Sequence, residues 1–225
     1  GSIRIQRILF LLELIKNNID YSKTSFLFYR SAPTGGYQFD RTLYETMLSN
    51  LLQDNYITES DYIVLKTEPL PKIVDYDSSE PITIKNTIDN SYDSPLNFVT
   101  ENVTGLMKGD DSEYGLITFS EKTLKPFLAH QLPMIFGLYG LNGVLRDLGF
   151  DLFDDFVNHA SYENIKNPHQ RLKEMCKELK RLLELDILEF RNNNLNRIMK
   201  NALLVHTLSN RGFDILNNFY KTTLL

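Results

Sequence analysis

The stretch "LITFSEKTLKPFLAHQLPMIFG", Leu116–Gly137, decides how the chain is read. An apolar run ends at Ser120-Glu121-Lys122, where a helix is expected to begin and to run from about Ser120 to His130. "PMIFG" at 133–137 then reads as a buried strand. Upstream, "NFVTENVTGL" (Asn97–Leu106) holds another buried strand, 96–100, which runs straight into Glu101 and Asn102. Downstream, "LNGVLRDLG" at 141–149 is the next helix, followed by a short "FDLF". Strands alternating with helices of this length imply a parallel sheet covered on both faces.

The flanks extend the pattern. Residues 3–17 carry apolar positions at helical spacing, and "SFLFYR" (25–30) reads as a strand that enters the loop "SAPTGGYQ". From Asp40, a plausible N-cap, a helix places Leu43, Met47, Leu51 and Leu52 on one face. "DYIVLK" (61–66) is a strand candidate, and 67–95, rich in Pro, Asp and Ser, is an irregular excursion. Beyond Asn167 the chain turns all-helical, with Pro168 near one helix start and a second helix over "NRIMKNALLVHTLS". The expected fold is α/β, a Rossmann-like parallel sheet with helices on both faces, plus a C-terminal helical extension. Its parts are an N-terminal helix (1–22), the α/β domain (23–166) and the extension (167–225).

Composition narrows the function classes. With 225 residues, 42 % hydrophobic and 24 % charged, the chain suits one well-cored domain with an appendage. No apolar run reaches the roughly 18 residues of a membrane span. Glu13 and Lys16 interrupt the opening "RIQRILFLLELIKNNI", so it reads as an amphipathic helix and not a signal peptide, and the leading Gly-Ser reads as a cloning scar. The lone Cys176 excludes a disulfide framework and a cysteine-based zinc site, and fits a reducing compartment such as the cytoplasm. His130, His159, His169 and His206 are too scattered for a metal site. The D-x-D at 75–77 lies in the irregular excursion and reads as a solvated loop. A net charge of −5 gives no general field for nucleic acid, and the basic residues after 168 are interleaved with acids.

In an open parallel sheet, ligands gather at the carboxyl ends of strands, where helix N-termini favour phosphate. Glu101 and Ser120-Glu121-Lys122 fall at such places. A carboxylate there suits ribose hydroxyls and a lysine suits a diphosphate. The plainer reading is that Ser120 caps a helix and Glu121 complements its dipole.

Taken in order, "FLFYRSAPTGGYQFDRTLYETMLS", "FVTENVTG", "YGLITFSEKTLKPFLAHQLPMIFG" and "LNGVLRDLGFDLFDDFVNHASYENIKNPHQRL" resemble the fucosyltransferases and the glycosyltransferase-like proteins of phages and giant viruses. The resemblance covers about 24–175. It implies the nucleotide-sugar-binding half of a metal-independent glycosyltransferase of GT-B type, with the N-terminal helix linking to a missing or reduced acceptor domain. A viral chain would work in the host cytoplasm. Carried over by position, Arg41 would bind the donor phosphates, Glu121 the ribose and Lys122 the diphosphate, while Glu101 and Asn102 would shape the sugar or phosphate pocket. Glu101 is also the one candidate for a catalytic role. Lys125 is either a further phosphate contact or the partner of Glu121, and Arg30 is a lesser phosphate candidate. The partner implied is a nucleotide sugar, with an unidentified glycan or other hydroxyl compound as acceptor and no resident cofactor or metal. Two alternatives stand beside it: a non-catalytic nucleotide-binding or assembly module, and a sugar transferase acting on modified phage DNA.

Overall fold

The computed structural model describes residues 4–20, 29–31, 37–70, 94–101 and 119–208. Its helices are α1 (Ile5–Lys16), α2 (Arg41–Gln53), α3 (Glu59–Thr67), α4 (Glu121–Leu128), α5 (Leu141–Asp147), α6 (Pro168–Leu183), α7 (Ile187–Asn193) and α8 (195–208). The strands are β1 (Tyr29–Ser31), β2 (Tyr37–Phe39), β3 (Leu96–Thr100) and β4 (Leu132–Phe136). The chain is α/β, and β3 and β4 form a small parallel pair with Phe98 opposite Met134.

Side chains of the pair alternate between two cores, as a period of two requires. Leu96, Phe98, Leu132, Met134 and Phe136 join Ile8 and Leu12 of α1 and Leu172, Met175 and Leu179 of α6. Val99 and Ile135 face the other way, onto Phe127 of α4, Leu141 and Leu145 of α5, and Phe150. Every position of β4 is buried. That double burial explains why "PMIFG" is an unbroken apolar run.

Several starts follow local sequence. Asp40 Oδ1 accepts from the Leu43 amide at 2.9 Å, and Asn167 Oδ1 accepts from Gln170 at 2.9 Å with Pro168 in the first turn. Two expectations are corrected. Residues 61–66 are not a strand but most of α3, because Thr58 and Asp61 close a capping box and Asp61 pairs with Lys16 at 2.8 Å. The strand expected at 25–30 is described only from Tyr29, and it pairs antiparallel with β2, Arg30 opposite Gln38. This antiparallel pair is separate from the β3–β4 pair, so β1 is not the first strand of the parallel pair. "FDLF" is irregular, with Phe153 at φ 61. Residues 75–77 lie outside the described residues. Cys176 is buried inside α6, and burial pushes its thiol pKa up, which disfavours the thiolate.

Helix α1 carries an electrostatic cost into the core. Glu13 is 4 % exposed and its Oε1 has no hydrogen-bond partner. Burial pushes its carboxyl above the ordinary value of 4.5, against the pull of Lys173, Lys16 and Lys177, and Asp61 adds to the rise. The unfolded chain gives up this proton at the ordinary value while the folded chain holds it, so stability falls as pH rises through the raised pKa. Glu13→Gln is therefore expected to raise the Tm at neutral pH. The advantage should vanish once the pH drops below the ordinary carboxylate range, which melting curves across pH would check.

No helix among the described residues is long and apolar enough to cross a membrane.

Candidate functional site

At the carboxyl end of β3 the chain reaches Glu101, 3 % exposed. Its amide extends the strand ladder to Phe136 O at 2.8 Å, and its carbonyl accepts from Gln6 Nε2 at 2.9 Å. The side chain turns towards the start of α4. Oε1 accepts from the amides of Ser120 and Thr123, both at 3.1 Å, and from Thr123 Oγ1 at 2.5 Å. Oε2 accepts from Ser120 Oγ at 2.7 Å, and Ser120 Oγ in turn accepts from the Lys122 amide at 3.2 Å.

A helix N-terminus presents free amides and positive dipole charge, and here a carboxylate of the protein itself fills that role. Glu101 therefore secures the helix start from inside and does not present its oxygens to a ligand. Ser120 caps the helix as the plainer reading had it. The Ser120, Lys122 and Thr123 amides are thus already engaged within the protein.

Lys122 and Lys125 are both half-buried on α4. Glu121 is the first residue of α4, but its side chain and the whole of Asn102 lie outside the described residues. Arg30 is described only as backbone in β1. Arg41 is not drawn to this cluster. Its Nε bonds Glu45 at 2.9 Å, its Nη2 bonds Lys66 O at 2.8 Å and its guanidinium lies 6.0 Å from the Tyr44 ring centre, so it ties α2 to α3.

Next to the Glu101 cluster, at the carboxyl end of β4, lies a cavity of about 170 Å³. Its wall is the turn from Gly137 to Gly143 with Arg146 beyond it, faced by Tyr162–Asn164 and Arg171. Gly137 joins the two features: a Cβ there would stand 3.6 Å from Glu101 Cγ and 2.4 Å from Leu141 Cδ2. Gly140, at φ 86, lets the chain reverse into α5.

Arginine and histidine hold this turn in place. Arg171, 4 % exposed, donates to Gly137 O at 2.7 Å and to Ile165 O at 2.9 Å, with its guanidinium 5.5 Å from the Phe136 ring centre. Burial lowers its pKa to about 10, still far enough above neutrality to keep the charge. His159 is buried and sits 2.9 Å from Leu152 O, an atom that only accepts, so Nε2 carries the proton. Nδ1 then accepts from the Tyr162 hydroxyl at 2.5 Å. Burial lowers the His159 pKa and raises that of Tyr162, so both stay neutral. Arg146 grips Asp154 through two nitrogens and approaches Glu163 Oε2 at 2.8 Å.

Sequence reasoning did not single out the Gly137–Gly143 turn. Its signal was the spacing of Gly137, Gly140 and Gly143 between a buried strand and a helix, which marks a backbone turned tightly at a strand end. Thr123 was missed too, although it stands at the third position of the helix it helps to anchor. Among the described residues no group of three or more His, Cys, Asp or Glu is placed to hold a metal ion.

Comparison of the chain with protein-family models, with curated proteins and with solved structures found no match.

Proposed function

We propose that the chain is the nucleotide-sugar-binding part of a glycosyltransferase, a reduced Rossmann-like unit of GT-B type that passes the sugar to a hydroxyl acceptor. The observation that carries this reading is the cavity at the carboxyl end of β4, beside the Ser120–Thr123 helix start, where ligands gather in parallel α/β folds. The ordered motifs over 24–175 support it independently. In this scheme Lys122 meets the diphosphate, Glu121 the ribose, and Lys125 lies one turn further along α4. Glu101 is a positioning residue that fixes the helix carrying them. Catalysis is then mainly electrostatic, with cationic side chains stabilising the departing diphosphate.

Titration calorimetry with UDP and GDP tests the assignment. Lys122→Ala is expected to weaken binding by about 1.5–3 kcal/mol, the range for a hydrogen bond to a charged group, with little change in Tm. Glu121→Gln is expected to narrow the preference for ribo- over 2′-deoxyribonucleotides while sparing the phosphate contribution. Equal affinities in wild type and both variants would remove these residues from the site.

The engaged amides of α4 favour one second reading, a non-catalytic nucleotide-binding or assembly module. Hydrolysis or transfer of a nucleotide sugar by the purified protein separates the two.

A further inference from the structure

We propose that the outward face of α8 joins two copies of this chain in an antiparallel pair, with a twofold axis passing beside Met199. Helix α8 is apolar along two adjoining lines. Ile198, Ala202 and Val205 are buried against the core. Leu195, Met199 and Leu203 form a second line, spaced by four residues, and are 46 %, 59 % and 66 % exposed. One apolar stripe seats a helix on its own domain, and a second, left outside, marks a surface that another molecule covers.

The helix is not free to turn this line inwards. Arg197 holds Asp151 at 2.7 Å and Asp155 at 2.8 Å, and Asn201 bonds both the amide and the carbonyl of Asp151, at 2.9 and 2.7 Å. These contacts fix the roll of α8 about its own axis.

The order of residues along the line says what covers it. From Met199, steps of four reach Leu195 in one direction and Leu203 in the other. Steps of seven reach Asn192, near the end of α7, and His206, both exposed and polar. The line is thus symmetric in size and polarity about its centre, as an interface between identical copies requires. Antiparallel pairing sets Leu195 against Leu203 of the second copy, Met199 against Met199, and Asn192 beside His206. Charge selects the same occupant. Lys200, at the edge, is the one charged residue among the exposed positions from 192 to 207. An acidic or basic partner would find little to pair with, whereas two chains of net charge −5 can meet here without bringing carboxylates together. Three half-exposed side chains fall well short of the roughly 800 Å² that each side of a standard interface buries, so the pair belongs to the weak, concentration-dependent class.

Analytical ultracentrifugation of the whole chain from about 10 µM to 1 mM reads the association. Wild type is expected to pass from monomer to dimer over this range. Met199→Glu sets two carboxylates against each other at the axis and is expected to weaken the dimer at least about tenfold, with an unchanged Tm because the side chain is exposed. Cysteine variants test the direction of pairing under mild oxidation, and the buried Cys176 leaves the introduced thiols as the reactive ones. Met199→Cys is expected to give a covalent dimer by itself. Leu195→Cys alone is expected to stay uncrosslinked, and Leu195→Cys combined with Leu203→Cys to crosslink. Wild type that stays monomeric at the highest concentration would overturn the self-association. A dimer that Met199→Glu leaves intact would place the contact elsewhere and overturn it too. Crosslinking of Leu195→Cys alone would show a parallel pair and overturn the twofold arrangement.

Discussion

Glu101→Ala is expected to destabilise the protein by about 3–4 kcal/mol, since it strips a buried helix start of its acceptor. The amides of Ser120 and Thr123 and the Thr123 hydroxyl would all lose Oε1, and Ser120 Oγ would lose Oε2. Glu101→Gln should cost only about 1–2 kcal/mol, because the amide oxygen can replace Oε1 while the amide nitrogen donates to Ser120 Oγ, a hydroxyl that accepts as readily as it donates. The order Glu, Gln, Ala in urea unfolding midpoints checks the geometry. A Gln variant as unstable as Ala would mean that the carboxylate charge, and not the bonding pattern, secures α4.

Arg171→Ala is expected to cost about 3 kcal/mol, as it leaves the buried Gly137 carbonyl and the half-buried Ile165 carbonyl without their donor. The loss also unties α6 from the end of β4, so the Gly137–Gly143 turn should lose order and ligand affinity should fall with stability. Arg171→Lys should recover less than half of the difference, because an ammonium cannot span two carbonyls as a guanidinium fork does. Guanidinium unfolding of the three proteins measures both steps. A loss below about 1 kcal/mol for Ala would show that water replaces the guanidinium at no great cost.

Both sites depend on contacts between distant parts of the chain, and this sets what the sequence could reveal. The two strands, expected at 96–100 and 133–137 and found at 96–100 and 132–136, were legible because each is a short apolar run closed by polar or glycine residues. The starts of α2 and α6 were legible from Asp40, Asn167 and Pro168, whose effects are local. "DYIVLK" misled because Ile63 and Val64 suggest a strand, yet both are exposed on α3, and the capping box set the outcome. Glu101 was legible as a carboxylate at a strand mouth. That it would turn to a helix start 19 residues further on was not, because no local pattern records a contact made across the fold. The same holds for Arg171, which reads as one of many charges on an amphipathic helix until β4 is placed against it.

The measurement that bears most directly on the nucleotide-sugar site is amide chemical-shift mapping by ¹H–¹⁵N NMR during titration with UDP and GDP. If the donor lies across the carboxyl ends of β3 and β4, the amides of Lys122, Thr123 and the Gly137–Gly143 turn should move together and saturate with one dissociation constant. Shifts confined to α2 and α3 around Arg41, or none at millimolar nucleotide, would contradict it.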